Sequence, residues 1–202
     1  MNRKRTSRWL SWLLSLSALV VGIGWGWFRT RSPQPPVEAT LEALEKVGDR
    51  LVWKGTRRGF TGRLVTREDN GVLRSASAVV DGRLHGLSEG WFTSGVLQIR
   101  EPFVDGVSQG IRTKWRSDGS KESEASIRDG RIDGRFVRWN PDGSPSEEAF
   151  FQAGVPVGEA RAWHPDGSLA FWCRLEQGKV VESKNWPPGE CHEWPVSVAK
   201  VP

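Results

Sequence analysis

Three histidines, two cysteines, one methionine and no tyrosine are a thin supply of reactive side chains for a chain of 202 residues. The histidines are His85, His164 and His192, and none recurs at an equivalent place. No nucleophile elbow, phosphate loop or metal-ligand spacing is present, and a Gly-x-x-x-Gly lattice without a following Lys-Ser or Lys-Thr is not a phosphate loop. The reading is therefore non-enzymatic, with no catalytic residues, no metal and no cofactor. Acidic residues are missing altogether from the first 31 positions, which hold six of the 29 basic residues. The remaining chain carries 23 basic and 24 acidic residues, a net of −1, so the overall charge of +5 resides at the N-terminus. A balanced remainder with interspersed signs offers no stripe for tracking phosphates, which excludes nucleic acid as a partner.

Charge is also absent from Trp9 to Phe28, WLSWLLSLSALVVGIGWGWF, a run of 20 residues. About 20 apolar residues span a bilayer as a helix, and the basic residues before this run favour a cytoplasmic N-terminus. Trp9, Trp12, Trp25 and Trp27 suit the two interfacial belts. No cysteine follows the run, which removes lipoprotein processing. A cleaved signal peptide is the alternative, although bulky Trp27 and Phe28 crowd the nearest small-x-small sites. The expectation is residues 1–8 as a cytoplasmic basic segment, 9–28 as a signal anchor, and the rest extracytoplasmic, or secreted if cleavage occurs. Residues 29–37, with Ser-Pro-Gln-Pro-Pro-Val, read as a stiff linker. Residues 38–48 place apolar side chains at helical intervals and end at Gly48, which predicts a short helix.

What the chain has in abundance is glycine and tryptophan, 23 and 12 residues respectively. Gly82, Gly106, Gly130, Gly154 and Gly178 recur every 24 residues, and Gly86, Gly110, Gly134 and Gly158 follow four behind. A third series is Gly71, Gly95, Gly119, Gly143 and Gly167, with Trp91, Trp115, Trp139 and Trp163 four residues before its later members. A fixed period of this length marks an array whose units bury apolar surface against their neighbours. Asp69-Asn70-Gly71, Thr93-Ser94-Gly95, Ser117-Asp118-Gly119, Asn140-Pro141-Asp142-Gly143 and Pro165-Asp166-Gly167 carry turn chemistry. A second reversal is expected over each Gly-x-x-x-Gly. The fold expected is all-β: a single-layer, twisted antiparallel meander of 24-residue hairpins over residues 51–189. Its units lie near 51–82, 82–106, 106–130, 130–154 and 154–178, with a partial unit 178–189 and a tail 190–202. Prolines 187 and 188 are expected to blunt the final edge.

Asp81-Gly82-Arg83-Leu84-His85-Gly86, Trp91-Phe92-Thr93-Ser94-Gly95, Asp129-Gly130-Arg131-Ile132-Asp133-Gly134 and Trp139-Asn140-Pro141-Asp142-Gly143 resemble the variant MORN repeat. That repeat defines bacterial proteins commonly labelled YwqK-type antitoxins, and Phe60-Thr61-Gly62 resembles the opening unit of such arrays. The resemblance covers about residues 51–189 and implies a β-hairpin scaffold that binds proteins or membranes, with toxin neutralisation as the family's label. Two readings of the Trp ladder stay open: filling of the apolar face, or a groove for an extended peptide, a glycan strand or another protein. Cys173 and Cys191, in an extracytoplasmic chain, are expected to form one disulfide that ties the tail to the last hairpin, with two free thiols as the alternative. The leading expectation is a membrane-anchored scaffold with an unidentified protein partner; immunity to a toxin and binding to lipid or cell wall are the rivals.

Overall fold

The computed structural model describes residues 36–189. The apolar run 9–28, Cys191 and the tail 190–202 lie outside them, and no helix among the described residues is long and apolar enough to cross a membrane. The described chain is nearly all β and forms one large sheet, antiparallel but for one pair of strands.

The N-terminal strands are β1 (Glu38–Ala39), β2 (Leu44–Val47), β3 (Arg50–Trp53) and β4 (Gly62–Arg67). The array continues through β5 (Leu73–Val80), β6 (Arg83–Trp91), β7 (Leu97–Val104), β8 (Val107–Ser108), β9 (Gly110–Trp115) and β10 (Lys121–Arg128). It ends with β11 (Arg131–Trp139), β12 (Pro145–Gln152), β13 (Val155–Trp163), β14 (Leu169–Glu176) and β15 (Lys179–Asn185). Thirteen of these strands form one sheet, in which consecutive strands from β4 onward are neighbours and β8 adds a short pairing to β7. β1 joins β4 in parallel, and β2 pairs with β3 as a separate hairpin.

Each unit turns twice, by two different devices. One turn has two residues: Asp81-Gly82, Asp105-Gly106, Asp129-Gly130, Ala153-Gly154 and Gln177-Gly178 all have positive φ at both positions. Two left-handed residues in sequence match the right-handed twist of the flanking strands, which is why Asp-Gly suits this place. The other turn has three residues ending in the third glycine series, as in Phe92 to Val96, where the Phe92 amide donates to Val96 O at 2.8 Å. Its Asp residues cap the loop: Asp142 Oδ1 accepts the Ser144 amide at 2.8 Å and the Ser144 hydroxyl at 2.6 Å. Asp118 and Asp166 do the same for Ser120 and Ser168.

The expected reversal over Gly-x-x-x-Gly is corrected to the two-residue turn alone. Gly86, Gly110 and Gly134 belong to the following strand segment, where the ladder bulges. Ala125 pairs with Phe136 and Ile127 with Ile132, so extra residues of β11 bow outward around Gly134 at φ +109°. A Cβ on Gly110 would stand 2.9 Å from Pro102 Cγ on the neighbouring strand, so the bulge also needs bare backbone there.

The short helix expected over 38–48 is corrected to β1, one 3-10 turn (Leu41–Ala43) and β2. A stretch this short gains little from helical hydrogen bonds. Pairing of β2 with β3 lets Leu44, 3% exposed, pack with Ala39, Phe60 and Val79 in the main buried cluster, with Leu51, Trp53, Leu64 and Leu84 around it. Trp53 meets Phe60 edge-on, ring centroids 5.2 Å apart. Residues 50–53 thus belong to this small hairpin, which covers the first unit of the large sheet.

The units are tied by a repeated hydrogen bond. Gly82, Gly106, Gly130 and Gly154 donate their amides to the carbonyls of Phe60, Leu84, Ser108 and Ile132, each 22 residues back, at 2.7, 2.7, 3.0 and 2.8 Å. The neighbouring amides of Asp81, Asp105, Asp129 and Ala153 reach side chains 20 residues back: Thr61, His85, Gln109 and Asp133.

Candidate interaction surfaces

Residues directly opposite each other on paired strands share one side of a sheet. Glu89, Arg100, Thr113, Glu124, Val137, Glu148 and Arg161 are successive cross-strand partners. Trp91, Trp115, Trp139 and Trp163 each stand two residues beyond a member of that row, at the ends of β6, β9, β11 and β13. All four tryptophans therefore line the same side. One strand lies between neighbours, a spacing of roughly 9.5 Å.

The apolar positions of the opposite arms lie on the other side. Val79, Phe103, Ile127, Phe151 and Leu175 are three residues beyond Ala76, Arg100, Glu124, Glu148 and Trp172, an odd count on regularly paired strands. Both sides hold deeply buried positions: Val79 at 2% and Ile127 at 4% exposure on this side, and Ala76 and Val137, each at 3%, in the row on the tryptophan side. Phe136 and Phe151 meet edge-on on the second side at 6.3 Å. The ladder tryptophans are only half-buried. Among the described residues the most buried tryptophan is Trp172, 8% exposed, which pairs with Arg161 and so shares the ladder's side without falling at a ladder position.

Cations sit over the ladder. The Arg100 guanidinium lies 5.9 Å from the centre of the Trp115 ring, and Lys121 Nζ lies 5.1 Å from that of Trp139. Acids balance them: Glu89 accepts from Arg100 at 2.8 Å, and Glu124 pairs with Lys121 at 2.9 Å. A groove of about 660 Å³ beside Trp115 is lined by Phe92, Ile99, Lys114, Arg116 and Glu122. Neither Arg100 nor Lys121 falls at a repeated position, so no periodic signal could have exposed them in the sequence.

On the other side, Glu101 accepts hydrogen bonds from Ser108 Oγ and from Arg112 Nη2. Burial pushes the Glu101 carboxyl up, but those two bonds and the Arg112 charge outweigh it and hold the group below the ordinary carboxylate range. The turn carboxyls of Asp118, Asp142 and Asp166 are also held low, first by the serine hydroxyls and then by the serine amides.

The turn glycines Gly71, Gly95, Gly119, Gly143 and Gly167 all adopt positive φ, between +83° and +85°. His85 faces Asp105 at 3.2 Å, and His164 Nε2 donates to Trp186 O at 2.9 Å, so both serve turns and strand ends. Cys173 is 3% exposed in β14, and burial pushes its thiol up; its expected partner Cys191 is outside the described residues. Among the described residues, no group of three or more His, Cys, Asp or Glu side chains could hold a metal ion.

No family model and no curated protein sequence matches this chain. Among solved structures, it is similar to TarM over 50% of its length, at 17% identity and a TM-score of 0.32. It is likewise similar to an S. aureus TarM mutant in complex with Fondaparinux, alpha-GlcNAc-glycerol and UDP, over 58% of its length, at 13% identity and a TM-score of 0.33. The matches span 19% and 20% of those chains. Likeness at this level defines neither a shared architecture nor a shared activity.

Proposed function

We propose that this chain is a membrane-anchored, non-catalytic scaffold of MORN-type hairpins whose tryptophan side receives a protein partner. The observation that carries the reading lies in the first unit. Arg67 stands there in place of the ladder tryptophan, yet it pairs with Leu73 as Trp91 pairs with Leu97, with the ladder shifting at the same step. The hairpin therefore closes without tryptophan. Four half-buried indoles in register are more than the fold requires, and rigid amphipathic aromatics are the side chains that dominate protein interfaces. The apolar run at 9–28 supplies the anchor in this reading.

The test uses crosslinked cells expressing tagged full-length protein, with membranes solubilised and the co-purifying material identified beside a Trp139→Ala variant. One dominant protein, lost in a variant whose circular dichroism is unchanged, supports the scaffold. Recovery of lipid or wall polymer alone, unaffected by the substitution, refutes it.

A further inference from the structure

The two edges of the large sheet are finished differently. At the first edge, β4 is covered by β1, where the Arg63 amide donates to Val37 O at 2.8 Å and Glu38 pairs with Arg63 and Arg67. β1 itself has two residues and follows Pro36, which has no amide hydrogen to offer. At the other edge, all seven residues of β15 are exposed, with Val180 and Val181 at 55% and 48%. The prolines expected to blunt this edge, Pro187 and Pro188, come after the strand rather than within it.

We infer that β15 is a self-pairing edge, joining a second copy of this chain in antiparallel fashion about a two-fold axis at Ser183. Two independent features select that register. The first is backbone direction. The Trp186 amide points inward to Ala170 O at 3.0 Å, so alternation turns the amides of Asn185 and Ser183 to the open side. Ser183 can then exchange both backbone hydrogen bonds with Ser183 of the second copy. The second is charge. Glu182 and Lys184 flank Ser183 on one side of the sheet, opposite Arg174 and Trp172. An axis at Ser183 sets Glu182 against Lys184 of the second copy, twice over. Moving the axis to Glu182 would set like charges face to face, which destabilises a strand pair. With the first edge covered, a symmetric contact closes at two copies and does not propagate into a fibre. A seven-residue edge is short, so the dimer is weak and concentration-dependent.

Sedimentation velocity of the full chain in detergent, across a concentration series, tests this. The wild type shows a monomer–dimer equilibrium. Ser183→Pro abolishes it without changing the circular dichroism, because that amide is not used within the sheet and an edge position tolerates proline. Glu182→Lys and Lys184→Glu each weaken the dimer by about tenfold, and the two together recover it, since opposite charges again face each other. The inference is overturned by a wild type that stays monomeric, by a dimer indifferent to Ser183→Pro, or by a charge swap that does not recover. A monomer that dimerises only when residues 190–202 are deleted overturns it as well, by showing that the chain's own tail occupies the edge. The partner reading survives each of these results.

Discussion

Replacing Gly82 and Gly106 by alanine, one at a time, separates two costs at one position of the repeat. Both glycines are the second residue of a two-residue turn, at φ +82° and +87°, and both amides reach back to the preceding unit at 2.7 Å. The left-handed conformation costs alanine roughly 1–2 kcal/mol. At Gly106 nothing lies within 4 Å of the new Cβ, so the cost ends there. At Gly82 the new Cβ would stand 2.6 Å from Leu51 O, 2.9 Å from Leu51 N and 3.0 Å from Arg50 Cβ. That is backbone of β3, which cannot swing away as a flexible side chain does. Displacing it breaks the Leu51 amide to Gly82 O bond of 2.8 Å and loosens Leu44 and Phe60 from Val79. Overpacking of this kind costs about 1–3 kcal/mol, which is the expected excess of Gly82→Ala over Gly106→Ala. Urea unfolding followed by tryptophan fluorescence measures the difference, and hydrogen exchange locates it. Peptides covering 44–60 should lose protection in Gly82→Ala and keep it in Gly106→Ala. Equal destabilisation, or unchanged exchange over that segment, refutes the docking of β3 on the turn as the cause.

The tryptophans should divide by burial: Trp172→Ala, at a site 8% exposed, costs about 3–5 kcal/mol, while half-buried Trp139 costs about 1–2 kcal/mol. Urea midpoints decide it, and the reverse order would return the ladder to the core. Asp118, Asp142 and Asp166 have lowered carboxyl pKa values, so their contribution to stability is complete above the ordinary carboxylate range and fades as pH falls through the lowered values. Changing all three to asparagine should flatten the acid limb of a plot of urea midpoint against pH; an unaltered limb contradicts the serine caps as its source. Ala153 holds φ +49° at a place where asparagine is better suited, so Ala153→Asn should stabilise by roughly 0.5–1 kcal/mol, read as a rise in Tm.

The period was legible because glycine is the residue that a left-handed turn position admits most cheaply. The three-residue turns followed from their Asp and Gly chemistry, and the register of the tryptophans followed from the period itself. Other features depended on information that lies elsewhere in the chain. Leu44 to Val47 could be helix or strand by spacing alone, and what decides is Phe60, whose exposure falls to 0% beneath that hairpin. The separation of Trp115 from Phe103 onto opposite sides could not be read without knowing that the chain reverses over two residues and then bulges. A reversal over five residues, as Gly-x-x-x-Gly suggests, shifts that count. The stacking of Arg100 and Lys121 on indoles was invisible for a different reason: the two cations approach equivalent rings from positions that are not equivalent.

One interaction persists while its chemistry changes. The turn amide at Asp81, Asp105, Asp129 or Ala153 meets a hydroxyl on Thr61, an imidazole on His85, an amide oxygen on Gln109 and a carboxylate on Asp133. What the repeat maintains there is an acceptor at a fixed place, and any side chain able to supply one serves. Variation at such positions therefore says nothing against the array, and the presence of histidine among them is not a sign of catalysis. The opposite holds for a position where one bulky side chain recurs although the fold closes without it. Arg67 shows that the tryptophan place is of that second kind, since its hairpin keeps the pairing and the turn of the others. In the function proposed above, recurrence that geometry does not demand belongs to the surface, and that surface is the side of the sheet that carries the four indoles.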